Sequence, residues 1–578
     1  MRREIRNKLR IVSLVLFAVA LLLISRLYYV QIMKGGEYSL RAEHQYLSSS
    51  QELYDRGSIF FTRKDGTLLS AAGLATGFTI AMNPGLVKDP EATFTKLSAI
   101  TTLIDKETFM EASAKTTDPY EVLAKRVPED VGRAIEGAKL AGIQVERERW
   151  RNYPAGTGAA QSVGFVAYGA GEDATIKGRT GMERYYDEVL SRKANGLFGN
   201  FFAELFANLD SVVVDASAAR EADLITGIDP VVQEKLGQVL QRVNDQYGSI
   251  ETGGIIMDPK TGAIVALETY PSFDANDFKN GNPAHFGNPL VEHRYEFGSI
   301  VKALTMAAGL DSGVITPEST YNDTGCITVN TKPICNFDKK ARGVVLMQEV
   351  LSQSLNVGSA HIATKIGHDR FRAYFKKLGM GEETGIDLPS EIPGDLHNIE
   401  TSPRDVEYDT AAFGQGIAQT PVEMIKALGA LANHGQVVTP HLVIAKKFES
   451  GIRKELAWGA PERVFSQTAT EQTTRMLVRV VDTKLANGTL KIPEMSVAAK
   501  TGTAQIAAAG GKYSENLYFH SFFGYFPAYE PRYIILLYTR QPQGVQYASE
   551  TLTQPFMDLT HFLINYYAIP PDRAPSTS

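Results

Sequence analysis

Residues 11–33 constrain the architecture of this chain more than any other stretch. Positions 11–25 carry no charge and are rich in Leu, Val, Ile and Ala. Beyond Arg26 the apolar run resumes through Leu27, Tyr28, Tyr29, Val30, Ile32 and Met33. Such a run is long enough to cross the hydrocarbon core of a bilayer with some tilt. Arg26 is placed to snorkel toward head groups, and Tyr28 and Tyr29 suit the interfacial belt. A cleaved signal peptide is the competing reading, but Ser-Arg-Leu-Tyr-Tyr-Val-Gln after the apolar core offers no small-x-small cleavage site. The expectation is an uncleaved transmembrane anchor. Arg2, Arg3, Arg6, Lys8 and Arg10 against Glu4 make residues 1–10 a basic head, which the positive-inside rule keeps in the cytoplasm. No second run of comparable length occurs, so a single-pass protein of the cytoplasmic membrane is expected, with nearly everything after residue 35 extracytoplasmic.

The remainder reads as a large multidomain globular protein. With 578 residues, 44% hydrophobic and 21% charged, the chain can fill more than one core. A net charge of −6 gives no basic face for nucleic acid. Two cysteines make neither a disulfide-stapled scaffold nor a four-cysteine metal site, and no metal or organic cofactor is expected. Cys326 and Cys335 flank residues 327–334 in the exported part, where an oxidising compartment permits a disulfide; two free thiols are the alternative.

Residues 35–220 alternate short β-like runs with turn signals and helical patches at 90–105 and 118–137. Residues 56–60 and 65–69 suggest a strand, a turn and a strand. Little here presents a nucleophile with a base, so this part is expected to be a spacer or docking module. A boundary falls near 220, where residues 230–247 read as an amphipathic helix and 252–267 as a hairpin around Asp258-Pro259-Lys260-Thr261-Gly262. Helical patterns dominate 295–440, and strands return at 521–528 and 533–538. That order suggests one domain, 221–569, whose sheet draws strands from both of its ends. Residues 570–578, rich in Pro and Ser, read as a disordered tail.

Three short motifs in the second half carry chemistry together. Ser299-Ile300-Val301-Lys302 stands before a helical pattern, and residues three apart at a helix start share a face. A serine hydroxyl needs a base to become a nucleophile, and lysine serves only if burial or a nearby cation lowers its pKa. Ser354-Leu355-Asn356 offers a hydroxyl able to relay a proton and a carboxamide able to bond a peptide. Lys500-Thr501-Gly502-Thr503 suits a strand that receives a carboxylate-bearing peptide alongside it. Each motif alone has a bland explanation as a helix end or turn.

In this order and spacing the three resemble the penicillin-recognising serine enzymes. The resemblance extends to class B penicillin-binding proteins through Arg56-Gly57-Ser58-Ile59, Asp65-Gly66, Arg151-Asn152-Tyr153-Pro154 and residues 178–190. Phe413-Gly414-Gln415-Gly416-Ile417, Thr420-Pro421 and Ala432-Asn433-His434-Gly435 are similar to the helical region before the third motif. It implies an α+β multidomain protein: the anchor at 11–33, an elongated mixed α/β pedestal (dimerisation) domain at 35–220, and a β-lactamase-like transpeptidase domain at 221–569. The latter would hold a central antiparallel sheet and a helical subdomain. It also implies roles: Ser299 as nucleophile, Lys302 as its base, Ser354 as proton relay and Asn356 as the holder of Lys302 and the substrate amide. Lys500, Thr501, Gly502 and Thr503 would receive a terminal carboxylate. The implied substrates are D-Ala-D-Ala stem peptides and β-lactams, and the implied partners a polytopic membrane glycosyltransferase and divisome proteins.

The modest length, the Phe-Gly-Gln-Gly segment and the lack of a long carboxy-terminal extension favour a septal over an elongation role. A D,D-carboxypeptidase is a second enzymatic reading, and a β-lactam sensor or division scaffold the non-enzymatic one. Phe297 stands where class B members usually have proline, and Ile300-Val301 replace Thr-Phe, which leaves acceptor fit and β-lactam affinity open. Glu296, Asp258, His285 and His293 read as structural.

Overall fold

The computed structural model describes residues 55–168, 176–192, 221–507 and 513–574. The basic head and the apolar run 11–33 lie outside them, and among the described residues no helix is long and apolar enough to cross a membrane. The described residues form two compact units: one contains Thr76–Trp150, the other Arg56–Ala75, Arg151–Arg192 and the described chain from Glu221 on.

In the smaller unit, the second half of strand Leu68–Met82 pairs antiparallel with Glu121–Val127. Helices Pro90–Ser98, Lys106–Ala114 and Glu129–Gly137 accompany this pair, with Phe78, Ile80, Met82, Leu97, Phe109 and Ile135 in one core. Asp89 and Asp105 cap the first two helices by accepting the N–H groups of Ala92 and Thr108. The helical reading of 118–137 holds only for its second half. Pairing of Leu123 and its neighbours with the Phe78–Met82 strand overrides local propensity in the first half.

The larger unit is built on a five-stranded antiparallel sheet: β1 (Glu251–Met257), β2 (Ile264–Tyr270), β3 (Ala498–Ala507), β4 (Tyr513–Phe526) and β5 (Tyr533–Arg540). The order is β3-β4-β5-β1-β2, so both ends of the domain supply strands, as the strand–helix–strand pattern suggests. Helices α1 (Pro230–Tyr247) and α6 (Thr553–Tyr566) share one core with the sheet through Leu236, Leu240, Ile535, Phe522 and Phe556. The other core holds α2 (Lys302–Asp311), α3 (Asn356–Ile366), α4 (Pro421–Ala432) and α5 (Gln467–Thr483). Lys302 to Leu310 are all buried, so this helix is enclosed on every side and carries Lys302 and Thr305 into the interior with it.

Two small antiparallel strand pairs interrupt the helical block: Thr320–Asp323 with Gly343–Leu346 and, enclosed between them in sequence, the hairpin of Cys326–Val329 with Lys332–Cys335. Cys326 and Cys335 face each other across the second and are joined as a disulfide. The carboxy-terminal stretch is ordered further than its composition suggests. Asp572 accepts the Ser496 N–H at 2.6 Å, and Arg573 pairs with Asp482 at 2.9 Å.

The larger unit also contains a buried ion cluster. The carboxylate of Glu183, with no exposure, accepts from Arg56 Nε and Arg151 Nε, each at 2.6 Å. Arg56 also reaches Asp187, and Arg151 donates to the carbonyl of Gly57. The Arg-Gly, Arg-Asn-Tyr-Pro and Gly-Met-Glu-Arg segments noted in the sequence are thus the corners of one network.

Candidate active site

The nucleophile candidate sits in a 3₁₀ turn, Gly298–Val301, that leads directly into α2. Three glycines let this turn approach its neighbours. Gly298 has φ +62, and a Cβ there would lie 2.7 Å from the carbonyl oxygen of Thr503 on β3. Gly414 has φ +78, and its Cβ would lie 2.3 Å from the Gly298 carbonyl. A Cβ on Gly502 would meet the Phe297 carbonyl at 2.5 Å. Side chains at these positions would force the turn off the edge of β3. Phe297, Ile300 and Val301 are fully buried, and Phe297 packs edge-on against Phe519 at 5.3 Å. The three positions at which the motif departs from the resemblance therefore fill the core beneath Ser299.

Ser299 is half-buried, and its hydroxyl makes no hydrogen bond among the described residues. Lys302 is 1% exposed, and its Nζ donates to the Ser354 carbonyl at 2.6 Å and contacts Ser354 Oγ at 3.2 Å. Lys500 is 3% exposed; its Nζ donates to the same Oγ at 3.1 Å and to the Thr501 carbonyl at 3.0 Å. Ser354 is thus a hub between two buried lysines. It lies just before α3 with φ +55, a left-handed conformation uncommon for serine and typical of positions held for function.

Asn356 opens α3, but its carboxamide donates to the Cys335 carbonyl at 2.9 Å instead of engaging Lys302. Sequence reasoning missed this partner. The contact ties the wall of the site to the disulfide-closed hairpin, whose Ile334 packs with Val406 and Phe413. The Phe413 ring in turn stands 6.0 Å from Lys302 Nζ. Thr503 Oγ1 accepts the Ala548 N–H at 3.0 Å and retains its own proton to donate. The bystanders have structural tasks. Glu296 accepts from the Gly416 N–H and the Tyr513 hydroxyl, and Asp258 accepts the Lys260 N–H in the β1–β2 turn.

Burial, together with the charge of Lys500, holds the Lys302 amine well below the usual lysine value. Burial lowers Lys500 to about 7. Both shifts favour the uncharged amine: Lys302, repelled also by Lys500, is available as a base, and Lys500 carries the charge that would receive a carboxylate only below about 7. The sign of the pH dependence follows. The second-order acylation constant should fall at acid pH as Lys302 regains its proton. It should fall again as pH rises through about 7 and Lys500 loses its charge. Arginine at 500 stays charged, so Lys500→Arg should remove the alkaline limb. A limb unchanged in that variant would assign it to another group.

Comparison with known proteins matches residues 252–559 to the family described as penicillin binding protein transpeptidase domain and residues 55–196 to the penicillin-binding protein dimerisation domain. Stage V sporulation protein D of Bacillus subtilis is 26% identical over 95% of this chain and 84% of its own length. A peptidoglycan D,D-transpeptidase FtsI homolog of Mesostigma viride is 26% identical over 98% of this chain and 96% of its own. Penicillin binding protein 3 of Mycobacterium tuberculosis, solved in complex with aztreonam, superposes with a TM-score of 0.67 at 22% identity, covering 90% of this chain and 97% of that one.

Proposed function

Because this chain belongs to the penicillin-binding protein transpeptidase family, we propose that it is a class B peptidoglycan D,D-transpeptidase working at the division septum. The observation that carries the mechanism is the Ser354 hydroxyl held between two buried lysines, of which Lys302 stands one helical turn after Ser299. Ser299 Oγ attacks the carbonyl of the penultimate D-alanine while neutral Lys302 takes its proton. Ser354 passes a proton to the departing amine, the bond to the terminal D-alanine breaks, and an ester on Ser299 remains. Lys500 and the hydroxyls of Thr501 and Thr503 hold the terminal carboxylate. Gly502 leaves room for β3 to lie against the turn. The backbone N–H groups of Ser299 and Thr503 stabilise the oxyanion, and Asn356 orients the substrate amide. An amine from a neighbouring strand then attacks the ester, forms the cross-link and restores Ser299. β-Lactams enter the same pathway and stop at the ester.

Residues 11–33 are the proposed anchor, with the head in the cytoplasm and both compact units outside it. The apolar length and the five basic residues against Glu4 support this. A polytopic glycosyltransferase and divisome proteins are the proposed partners. The septal assignment is supported by the Phe413–Gly416 segment and by the end-to-end likeness to the FtsI homolog. Incubation with a D-Ala-D-Ala donor and a free amine acceptor should yield the transpeptidation product. Hydrolysis alone, with acceptor in excess, would replace the transpeptidase by a carboxypeptidase. Cells depleted of the protein should elongate without dividing; swelling into spheres would instead place it in elongation.

A further inference from the structure

Helix α3 begins without a cap of its own. Asn356 opens it, and the residue at the cap position is Leu355, whose side chain has no oxygen to offer. The first N–H groups of a helix have no carbonyl one turn back and need acceptors from elsewhere. For Val357 the acceptor comes from upstream in the chain: its N–H donates to Asn336 Oδ1 at 3.2 Å.

Asn336 is 2% exposed, and both polar atoms of its side chain are engaged. Its amide nitrogen donates to the two oxygens of Asp323, at 2.9 and 3.0 Å. Its backbone is fixed as well, by a bond to the Gly325 carbonyl and one from the Lys339 N–H. Asp323 has no exposure and also accepts the Arg342 N–H at 3.1 Å. An ionised carboxylate can only accept, so it dictates which way the Asn336 carboxamide points. Turned over, the carboxamide would set its oxygen against the carboxylate and its NH₂ against the N–H of Val357. Asp323 therefore imposes the orientation that caps α3.

The hub of the site stands on this cap. Ser354 precedes Val357 by three residues, has φ +55, and meets both Lys302 and Lys500 at its hydroxyl. Arg342, tied to Asp323 through its backbone, donates from Nε to Gln353, the neighbour of Ser354, at 3.2 Å. We propose that Asp323 and Asn336 are positioning residues of the reaction: acting through the start of α3, they hold the Ser354 hydroxyl where it protonates the departing amine. The proposal rests on the transpeptidase reading, in which Ser354 has that task.

The test uses the leaving group. An amine must gain a proton to depart, whereas a thiolate leaves without one. Stopped flow on the full chain compares acylation of Ser299 by a β-lactam with acylation by a thioester donor, and thermal unfolding checks each variant. Asn336→Ala should slow β-lactam acylation about ten- to a hundredfold, the cost of a misplaced catalytic group, and thioester acylation less than about threefold. Asn336→Asp keeps an acceptor for Val357 but faces Asp323 with a like charge, and should show the same selective loss. The reciprocal exchange, Asp323→Asn with Asn336→Asp, restores one amide donor and one carboxylate. It should return β-lactam acylation to within about threefold of the parent. If the alanine variant does not fold, Asn336→Asp and the exchange carry the same comparison. Equal losses with both donors, no loss with either, or a folded exchange variant that regains nothing would overturn the proposal. A parent protein that is not acylated at Ser299 would be a different result, one that removes the transpeptidase reading itself.

Discussion

Arginine in place of Lys302 is expected to slow acylation of Ser299 roughly a thousandfold, the scale of a lost general base. Arginine preserves a long cationic side chain but cannot give up its proton in a protein, so it has no lone pair for the serine hydroxyl. The native amine is prepared for the opposite behaviour. It is 1% exposed, faces the ring of Phe413, and lies near Lys500 through their shared partner Ser354. Burial removes the water that would stabilise an ammonium, and the neighbouring charge adds repulsion. Stopped-flow acylation measures the loss directly, with thermal unfolding of the variant as a check on folding. A loss under tenfold would mean that the proton leaves Ser299 by another route, with Ser354 as the first group to test.

The largest expected effect on stability belongs to Glu183. Its carboxylate is inaccessible and bridges the guanidinium groups of Arg56 and Arg151. Breaking a buried ion pair from one side leaves a charge that neither water nor a counter-ion compensates, at a cost of about 3–5 kcal/mol. Arg151 would suffer most, because its other bond among the described residues goes to a neutral carbonyl, that of Gly57. Arg56 would keep the Asp187 carboxylate. Glu183→Ala should therefore lower the denaturant midpoint of the larger unit, and Glu183→Gln, which preserves shape without charge, should do so less. A loss below about 1 kcal/mol in the alanine variant would show the cluster to be hydrated or replaceable.

Local pattern made much of the larger unit readable. Asp229-Pro230 announces α1, Asp258 to Gly262 announces the β1–β2 turn, and the apolar runs that became β4 and β5 are long enough to be buried strands. In the smaller unit, Glu121–Val127 misleads because its helix-compatible residues are claimed by pairing with a distant strand. Among the site residues, Ser299, Lys302, Ser354 and Lys500 were visible because three motifs, each weak alone, stand in the order that resembles the penicillin-recognising serine enzymes. Their supports were not. Nothing local says that Asn356 will bond a carbonyl beside a disulfide, or that Gly414 must lack a Cβ because the Gly298 carbonyl passes 2.3 Å from where one would stand. Nor does it say that Asn336 will cap α3. These are facts of tertiary proximity, and they carry no period or spacing that a linear reading can detect. The two cysteines sit between the cases: their exported setting permitted a disulfide, and only the facing register of Cys326 and Cys335 decided it.

The central claim is that Ser299 forms a covalent acyl-enzyme with Lys302 as its base. Exposing the protein to a fluorescent penicillin, digesting it and sequencing the labelled peptide by mass spectrometry tests that claim at the atom concerned. The account predicts one adduct, on the peptide containing Ser299, absent in Ser299→Ala. A folded protein that takes no label, or one in which Ser299→Ala is labelled as readily as the parent, would contradict it.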